Sequence, residues 1–305
     1  MIRRARLAVT LGDPRGIGPE ITAAVLAHGV DADVTVLGAR EQIASLPAVE
    51  AIATGSWHPE AGGPARTDAS QAGLIAGRAV EQAARLALDG KVDAIVTAPV
   101  EKHALHLAGF GFPGHTEWLA HLAGNCDVAM MLASDRLRVV LVTTHVALRD
   151  VPLLLTTDRV VRTGIVTRNG LRDWFGIAEP RLAICALNPH AGEQGLFGDE
   201  EARILAPAAE RLGAAGPLPA DTVFVRAMRG EFDAVLTPYH DVGMTAIKVA
   251  SFGSAVNVTL GLPFVRTSPD HGTALDIAGL GRADPSSMRA AVQLAIDLAQ
   301  RSRTR

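Results

Sequence analysis

The fold is indicated most directly by Leu7-Ala8-Val9-Thr10-Leu11-Gly12-Asp13-Pro14-Arg15-Gly16-Ile17-Gly18-Pro19-Glu20, an apolar run followed by a glycine-rich loop. Residues 7–11 predict a buried strand, and residues 19–27 predict the helix that follows it. The loop between them is not the GxGxxG fingerprint of a Rossmann unit. It does place backbone N–H groups at a helix start, where they can face an anion. A glycine turn that lets the helix pack closely on the strand is the alternative interpretation.

Short apolar runs alternate with helical patterns along the rest of the chain. This alternation predicts an α/β fold with largely parallel sheets. Further strands are predicted at 33–37, 93–97, 138–143, 181–187, 233–236, 255–260 and 263–267. Further helices are predicted at 70–88, 159–172, 200–212, 220–228 and 286–300.

Composition narrows the class of protein. The chain has 305 residues, 48% of them apolar, which is enough for two domains with sizeable cores. Aromatic residues make up 4% and the formal net charge is −3, so neither stacking surfaces nor a basic tract indicates a nucleic-acid partner or an anionic membrane surface. The isolated thiols of Cys126 and Cys185 are typical of a reducing cytoplasm. No apolar run is long enough to span a membrane, and the basic N-terminus does not lead into a signal-peptide pattern.

Three histidines each follow a predicted strand by a few residues: His145, His190 and His240. In open α/β sheets, ligands bind at the carboxyl ends of the strands. Imidazole suits Zn²⁺, Co²⁺ and similar ions, so convergence of these side chains would make a metal site with positions left open for substrate. The alternative is that each is an ordinary surface or hydrogen-bonded histidine, and the local pattern leaves both interpretations open.

Further polar residues stand at predicted element boundaries. In Gly114-His115-Thr116-Glu117, a helix start offers an imidazole, a hydroxyl and N–H groups to a carboxylate or phosphate, with simple N-capping by Thr116 as the alternative. Lys248, Asn257 and Arg266 form a further set, in which Lys and Arg flank the apolar strands predicted at 255–260 and 263–267. The two cations are candidates for clamping an anion or are ordinary surface charges. Asp241 lies beside His240.

The segment Asp270-His271-Gly272-Thr273-Ala274-Leu275-Asp276-Ile277-Ala278-Gly279-Leu280-Gly281 is dense in small and polar residues before the last predicted helix. This density predicts a ligand-binding loop. A plain glycine-rich connection is the alternative.

Together, several motifs resemble those of the 4-hydroxythreonine-4-phosphate dehydrogenases of vitamin B6 biosynthesis. The resemblance covers essentially the whole chain and is specific in combination rather than motif by motif. The motifs are Gly12 to Glu20, Gly114-His115-Thr116-Glu117, Leu187-Asn188-Pro189-His190-Ala191-Gly192-Glu193, Tyr239-His240-Asp241, and Asn257 to Gly281.

The resemblance implies an NAD-dependent oxidation and decarboxylation of 4-(phosphooxy)-threonine to 3-amino-2-oxopropyl phosphate. It implies a divalent metal (Zn, Mg or Co) held by His145, His190 and His240. Lys248 and Asp241 are the candidates for the catalytic base. The implied substrate-binding residues are His115, Thr116, Lys248, Asn257 and Arg266.

The resemblance also implies a fold similar to that of isocitrate and isopropylmalate dehydrogenases, with two α/β/α domains around a central cleft. We expect residues 1–112 and 255–305 to form the first domain and residues 113–254 the second. The family is dimeric, so we expect a homodimer with the active site at the subunit interface and metal ligands from both chains.

The loop at His271, Gly272, Ala274 and Asp276 resembles the adenosine-binding loop of isopropylmalate dehydrogenases. A carboxylate at Asp276 would accept from the ribose 2′-hydroxyl and repel a 2′-phosphate, which predicts NAD rather than NADP.

The chain departs from the family at Val242, where many members have Gln. Related dehydrogenases that act on phosphorylated threonate or erythronate, or on an aromatic-degradation dihydrodiol, therefore remain alternatives. Two other classes also remain. A metal-dependent hydrolase would use the same histidines without a nicotinamide, and a non-catalytic phosphate-binding protein would use the metal structurally.

Overall fold

The computed structural model describes residues 3–47, 49–58, 69–251 and 254–303. The strands are β1 (Ala5–Thr10), β2 (Ala32–Ala39), β3 (Glu50–Gly55), β4 (Ala94–Thr97), β5 (Ala129–Ala133), β6 (Arg138–Leu141), β7 (Leu182–Cys185), β8 (Ala215–Leu218), β9 (Ala234–Thr237), β10 (Val256–Leu260) and β11 (Val265–Pro269). The α-helices are α1 (Gly18–Ala27), α2 (Arg40–Ile43), α3 (Ala69–Leu88), α4 (Lys102–Leu107), α5 (His115–Leu122), α6 (Val151–Leu154), α7 (Thr157–Asp173), α8 (Ala206–Leu212), α9 (Ala220–Met228), α10 (His240–Ser251) and α11 (Ser286–Arg303). Short 3₁₀ segments occupy Leu148–Asp150 and Pro189–Gly195, and a π-helical turn occupies Glu201–Leu205.

The chain divides into two compact units, one of Met1–Cys126 with Leu262–Arg305 and one of Asp127–Gly261. The expected boundaries at 113 and 255 differ from this division for local reasons. Helix α5 stays with the first unit because Trp118 packs on Phe110 and Phe112, with ring centroids 4.8 and 5.6 Å away. Strand β10 belongs to the second unit because it pairs antiparallel with β5.

In the first unit the strands run in the order β3-β2-β1-β4-β11, and every neighbouring pair is parallel. Helix α3 packs on β1, β2, β3 and β4, while α11 packs on β11, β4 and β1. Strand β1 is buried at almost every position, as expected for a strand of a covered parallel sheet.

In the second unit the order is β10-β5-β6-β9-β7-β8. The pairs β10–β5 and β5–β6 are antiparallel, and the remaining pairs are parallel. Helices α7, α9 and α10 pack on this sheet. The parallel neighbours β6, β9 and β7 bring the carboxyl ends of the strands that precede the three histidines to one edge.

In the described part of the chain, none of the helices combines the length and the hydropathy that crossing a bilayer requires.

Candidate functional site

Two of the three strand-end histidines lie side by side in the second unit. The rings of His145 and His240 have centroids 5.5 Å apart and are tilted by 45°. His240 begins α10, and its Nδ1 lies 2.7 Å from Oδ1 of Asp241. A proton donated from Nδ1 to this carboxylate leaves Nε2 with its lone pair, which is the arrangement in which a carboxylate orients a metal-binding imidazole.

His190 lies at the neighbouring strand end but on an unusual turn. The backbone of residues 190–194 has positive φ throughout, with His190 at φ 51° and ψ 30°. Its ring is 6.5 Å from that of Phe197. Among the residues that the structure describes, no group of three His, Cys, Asp or Glu side chains is arranged to hold a metal ion. One chain therefore brings His145 and His240 together and does not complete the triad.

The two candidates for the base and the predicted amide contact are also in the second unit. Asp241 and Lys248 are both exposed on α10, near its start and in its last turn. Lys248 lies in α10, the helix that precedes β10 in the chain. Asn257 lies in β10, and its Oδ1 is buried without a hydrogen-bond partner among the described residues.

The first unit contains a buried cation. Arg266 is 2% exposed within β11, so it is not the surface charge that the sequence left as an alternative. Its Nη2 donates a hydrogen bond of 2.6 Å to Oγ1 of Thr97, the last residue of the parallel neighbour β4. Burial lowers the pKa of Arg266 to about 10, against the opposing attraction of Glu117. A guanidinium this far from water depends on partners such as the Thr97 hydroxyl and the Glu117 carboxylate.

His115 and Thr116 open helix α5, with Gly114 as its N-cap residue. No side chain caps this helix start, so Thr116 does not act as the N-cap, and it is buried. Burial, with the charges of Arg266 and Lys102, lowers the pKa of His115 to about 3. Its Nε2 is buried and has no hydrogen-bond partner in the described part of the chain. A neutral imidazole near a buried guanidinium offers both a hydrogen bond and a positive field to an anionic ligand.

The predicted cofactor residues lie in the loop between β11 and α11. His271 Nε2 is buried without a partner among the described residues, while Gly272 and Asp276 are exposed. Ala274 has φ 43°, and its carbonyl accepts from the N–H of Ile277. An exposed carboxylate and an unsatisfied imidazole nitrogen fit a polar ligand such as the adenosine part of a dinucleotide.

The Gly12–Glu20 motif supports this loop. The N–H of Ile17 donates to the carbonyl of Thr273 at 2.9 Å, and the N–H of Gly279 donates to Oε2 of Glu20 at 2.9 Å. A Cβ on Gly16 would lie 2.8 Å from the Thr273 carbonyl oxygen, so the close approach requires glycine. The motif therefore forms a glycine turn that packs closely, and its two hydrogen bonds hold the predicted ligand loop in place.

An ion-pair network in the same motif was not predicted. Arg15 Nη2 donates to Oδ2 of Asp13 at 2.7 Å and also to Glu101, and the Asp13 and Arg15 side chains are almost fully buried. The available signal was the pair of opposite charges two positions apart within the glycine-rich loop. Glu101 lies between β4 and α4, far from this motif in the sequence. No local pattern therefore indicated its contact with Arg15.

Comparison with known proteins gives consistent matches over most of the chain. A family model described as pyridoxal phosphate biosynthetic protein PdxA matches residues 20–295. The chain is 45% identical to the 4-hydroxythreonine-4-phosphate dehydrogenase of Geobacter metallireducens, over 97% of this chain and 96% of the relative. It is 44% identical to the D-threonate 4-phosphate dehydrogenase of Salmonella typhimurium, over 96% and 98%.

Solved structures also match this chain over most of its length. The crystal structure of 4-hydroxythreonine-4-phosphate dehydrogenase from Klebsiella pneumoniae has a TM-score of 0.87 at 41% identity, over 97% of this chain and 98% of that one. A β-decarboxylating dehydrogenase from Thermococcus kodakarensis has a TM-score of 0.52 at 17% identity, over 95% and 82%, which is a likeness of fold alone. The predicted α/β fold class is confirmed by these two structures.

Proposed function

The chain belongs to the family of the pyridoxal phosphate biosynthetic protein PdxA, and on that premise we propose that it oxidises and decarboxylates 4-(phosphooxy)-threonine with NAD⁺. The product would be 3-amino-2-oxopropyl phosphate, a precursor in vitamin B6 biosynthesis. The observation that carries the proposal is the buried Arg266 close to the neutral His115, in a family whose relatives are named for phosphorylated substrates.

The phosphate-bearing end of the substrate is assigned to Arg266, His115 and Thr116. Arg266 supplies a fixed positive charge with fork geometry that matches phosphate oxygens. His115 supplies the hydrogen bond that its buried Nε2 otherwise lacks. Asn257, whose Oδ1 is also unsatisfied, would accept from a hydroxyl or amino group of the substrate. These contacts would provide the remote binding energy that orients the reacting carbon.

We assign a divalent metal, Zn, Mg or Co, to His145, His190 and His240. The paired rings of His145 and His240, with Asp241 on Nδ1 of His240, have the donor chemistry that such an ion requires. When bound, the ion supplies Lewis acidity that makes a nearby hydroxyl easier to deprotonate. No group of three His, Cys, Asp or Glu side chains is arranged to hold a metal within the described part of one chain, which supports a site that a partner subunit completes.

In the oxidation a base would take the proton of the substrate hydroxyl. NAD⁺, when bound by the loop at His271, Gly272, Ala274 and Asp276, would supply the acceptor for the hydride from the carbon that bears this hydroxyl. Lys248 and Asp241 are the candidates for that base. The ketone that forms lies β to the carboxylate, so the bond to CO₂ can break and leave its electron pair on the carbon between them. Protonation of that carbon completes the product.

The loop residues His271, Gly272, Ala274 and Asp276 are assigned to NAD. Asp276 is exposed, so its carboxylate is available to accept from a ribose 2′-hydroxyl and would repel the 2′-phosphate of NADP. Selectivity for NAD over NADP is the consequence.

A homodimer is the proposed assembly. Large apolar side chains close in sequence to His145 and His190 are exposed, with Leu148 at 67%, Leu153 at 81% and Leu196 at 72%. Burial of such side chains against a second copy would remove them from water. The partners proposed are this second copy and a small phosphorylated hydroxy acid, with no nucleic acid and no membrane. The scarcity of cysteine, with only Cys126 and Cys185 in 305 residues, favours a cytoplasmic location.

Oxidation of D-threonate 4-phosphate is the second candidate, because the relative from Salmonella typhimurium is named for it at nearly the same identity. Val242, where many family members have Gln, does not decide between the two substrates. Its side chain packs against the core of the second unit and offers no polar group to the C2 position of a substrate.

The decisive experiment adds NAD⁺ and Co²⁺ to the purified protein with each phosphorylated substrate and follows NADH absorbance. We expect the largest kcat/KM with 4-(phosphooxy)-threonine. A larger value with the phosphates of threonate or erythronate would move the assignment to the second candidate. Phosphate release without NADH would instead support a hydrolase, and absence of NADH with every substrate would overturn the dehydrogenase assignment.

A further inference from the structure

The turn that carries His190 is built from conformations that side chains disfavour. Residues His190, Ala191, Glu193 and Gln194 all have φ between 43° and 58°, the left-handed region. Each such residue is disfavoured relative to ordinary backbone, because its Cβ crowds the neighbouring carbonyl oxygen. A strained turn of this kind persists only where surrounding contacts fix it.

The main contacts that fix this turn come from the buried carboxylate of Glu201, and the neighbouring Glu200 also accepts from Nδ2 of Asn188, at 2.7 Å. Glu201 is 6% exposed in the π-helical turn before α8. Its Oε1 accepts hydrogen bonds from the backbone N–H groups of Leu187 at 2.9 Å and Asn188 at 2.7 Å. Its Oε2 accepts from Nδ2 of Asn188 at 2.9 Å. These donors lie just after β7, where the chain leaves the sheet and approaches His190.

Glu201 also contacts the middle of the turn. Gly192 is buried with φ 81°, and a Cβ at this position would lie 2.9 Å from Oε2 of Glu201. The carboxylate therefore holds the residues before His190 and packs against the residue two positions after it.

The chemistry of the position requires a carboxylate rather than an amide. All three bonds are accepted, and a carboxylate is acceptor-only. In Gln the side-chain nitrogen would replace one oxygen and face either the two backbone N–H groups or Nδ2 of Asn188. In the first case both backbone N–H groups would lose their acceptor. In the second, one of the two Nδ2 hydrogens would lose its acceptor, while Glu200 still accepts from the other.

We propose that Glu201 is a positioning residue that fixes the His190 turn in its metal-binding conformation. The inference rests on the proposed function, since it takes His190 to be a metal ligand. Outer partners that orient ligating histidines typically contribute about 10–100-fold to metal affinity. Glu201 acts on the backbone that carries the histidine rather than on its ring.

The test is a Co²⁺ titration of the metal-stripped, full-length protein, followed by calorimetry and by the visible absorption spectrum of the bound ion. For Glu201→Gln we expect affinity to fall by about 10–100-fold and the spectrum to change, because the geometry of one ligand changes. Glu210→Gln is the matched control, since Glu210 is exposed on α8, and it should bind Co²⁺ as the wild type does.

A second pair of variants keeps the test independent of how well Glu201→Gln folds. Gly192→Ala and Gly195→Ala both place a side chain at positive φ, 81° and 94°. Only the Cβ at 192 meets Glu201, while that at 195 has open space around it. Gly192→Ala should weaken Co²⁺ binding more than Gly195→Ala does.

The possible outcomes distinguish the positioning role of Glu201 from the metal assignment of the proposed function. Tight Co²⁺ binding by the wild type, with the same affinity and spectrum for Glu201→Gln, would overturn the role of Glu201 and leave the proposed function intact. Equal effects of Gly192→Ala and Gly195→Ala would also overturn it. Absence of Co²⁺ binding by the wild type would contradict the metal assignment itself, and the inference with it.

Discussion

Arg266 and His115 show how burial prepares single side chains for an anionic ligand. Burial lowers the pKa of both, Arg266 to about 10 and His115 to about 3. Arg266 still carries its charge near pH 7, while His115 is neutral. A phosphate ester would receive one strong ionic contact and one neutral hydrogen bond, and a second buried cation would not have to be formed.

Replacement of Arg266 tests this arrangement. Arg266→Met should lower kcat/KM for the phosphorylated substrate about 100-fold, because charge-assisted hydrogen bonds contribute roughly 1.5–3 kcal/mol each. Arg6→Met is the control: Arg6 pairs with Asp93 at 2.8 Å, so its loss should lower the unfolding midpoint while kcat/KM stays near the wild-type value. Steady-state kinetics and thermal unfolding report the two effects, and unchanged kcat/KM for Arg266→Met would refute the assignment.

His115 predicts a dependence of stability on pH. Its pKa is about 3 in the folded protein and 6.5 ordinarily, so between these values the unfolded chain binds a proton that the folded chain does not. Its neutral form therefore stabilises the fold fully above pH 6.5, and the contribution is lost as pH falls toward 3, by at most about 1.4 kcal/mol per pH unit. His115→Gln should flatten the decline in the free energy of unfolding between pH 7 and 5, measured with urea. The exposed His28→Gln should not, and an identical slope for both variants would contradict the prediction.

At the scale of elements, periodicity predicted the strands and helices that carry most of the site. The strands before His145, His190 and His240 were found as β6, β7 and β9, and residues 70–88 closely match α3. Strands β3, β5 and β8 and helices α2, α4, α6 and α10 were not predicted, and of α5 only the start at Gly114-His115-Thr116 was. Partly exposed β3 lacks a continuous apolar run, and α10 contains Gly243 together with the β-branched residues Val242, Thr245 and Ile247.

The position of a site residue was predictable where that residue follows a strand. Its backbone conformation and burial were less predictable, because tertiary contacts decide them. The proximity of His145 and His240 followed from parallel strands with a common edge. The left-handed turn at His190 and its support by Glu201 did not, because both depend on side-chain to backbone contacts that no helix or strand periodicity encodes. The burial of Arg266 depends on the parallel pairing of β11 with β4, which no local pattern reveals.

The contact between the Gly12–Glu20 motif and the loop at residues 271–276 predicts that a change in the motif weakens NAD⁺ binding. Gly16→Ala would push its Cβ against the Thr273 carbonyl, 2.8 Å away, and displace the loop. The KM for NAD⁺ should rise about 10-fold, corresponding to roughly 1.4 kcal/mol, with less change in the KM for the phosphorylated substrate. Gly111→Ala is the control because its Cβ would meet no atom within 4 Å. Equal effects on both KM values would show that the loop does not hold NAD.

At the scale of the whole molecule, the account requires a second copy of the chain. Leu153→Glu should produce a monomer in light scattering, since a charge replaces an apolar side chain that is 81% exposed in the single chain and proposed to be buried in the dimer. Co²⁺ affinity should fall with dissociation, because one chain does not complete the triad. Leu88→Glu, at a position 47% exposed at the end of α3, should leave the mass unchanged. A Leu153→Glu monomer that binds Co²⁺ like the wild type would show that the metal site lies within one chain.

The most direct test of the central claim, that a metal held by the strand-end histidines supports NAD-dependent oxidation, is made on His190→Ala. Metal content by elemental analysis and NADH formation from 4-(phosphooxy)-threonine are measured on the same purified sample, with circular dichroism as the check on folding. The account predicts a folded protein that has lost both its metal and its NADH formation. Full turnover by a metal-free His190→Ala protein would contradict it.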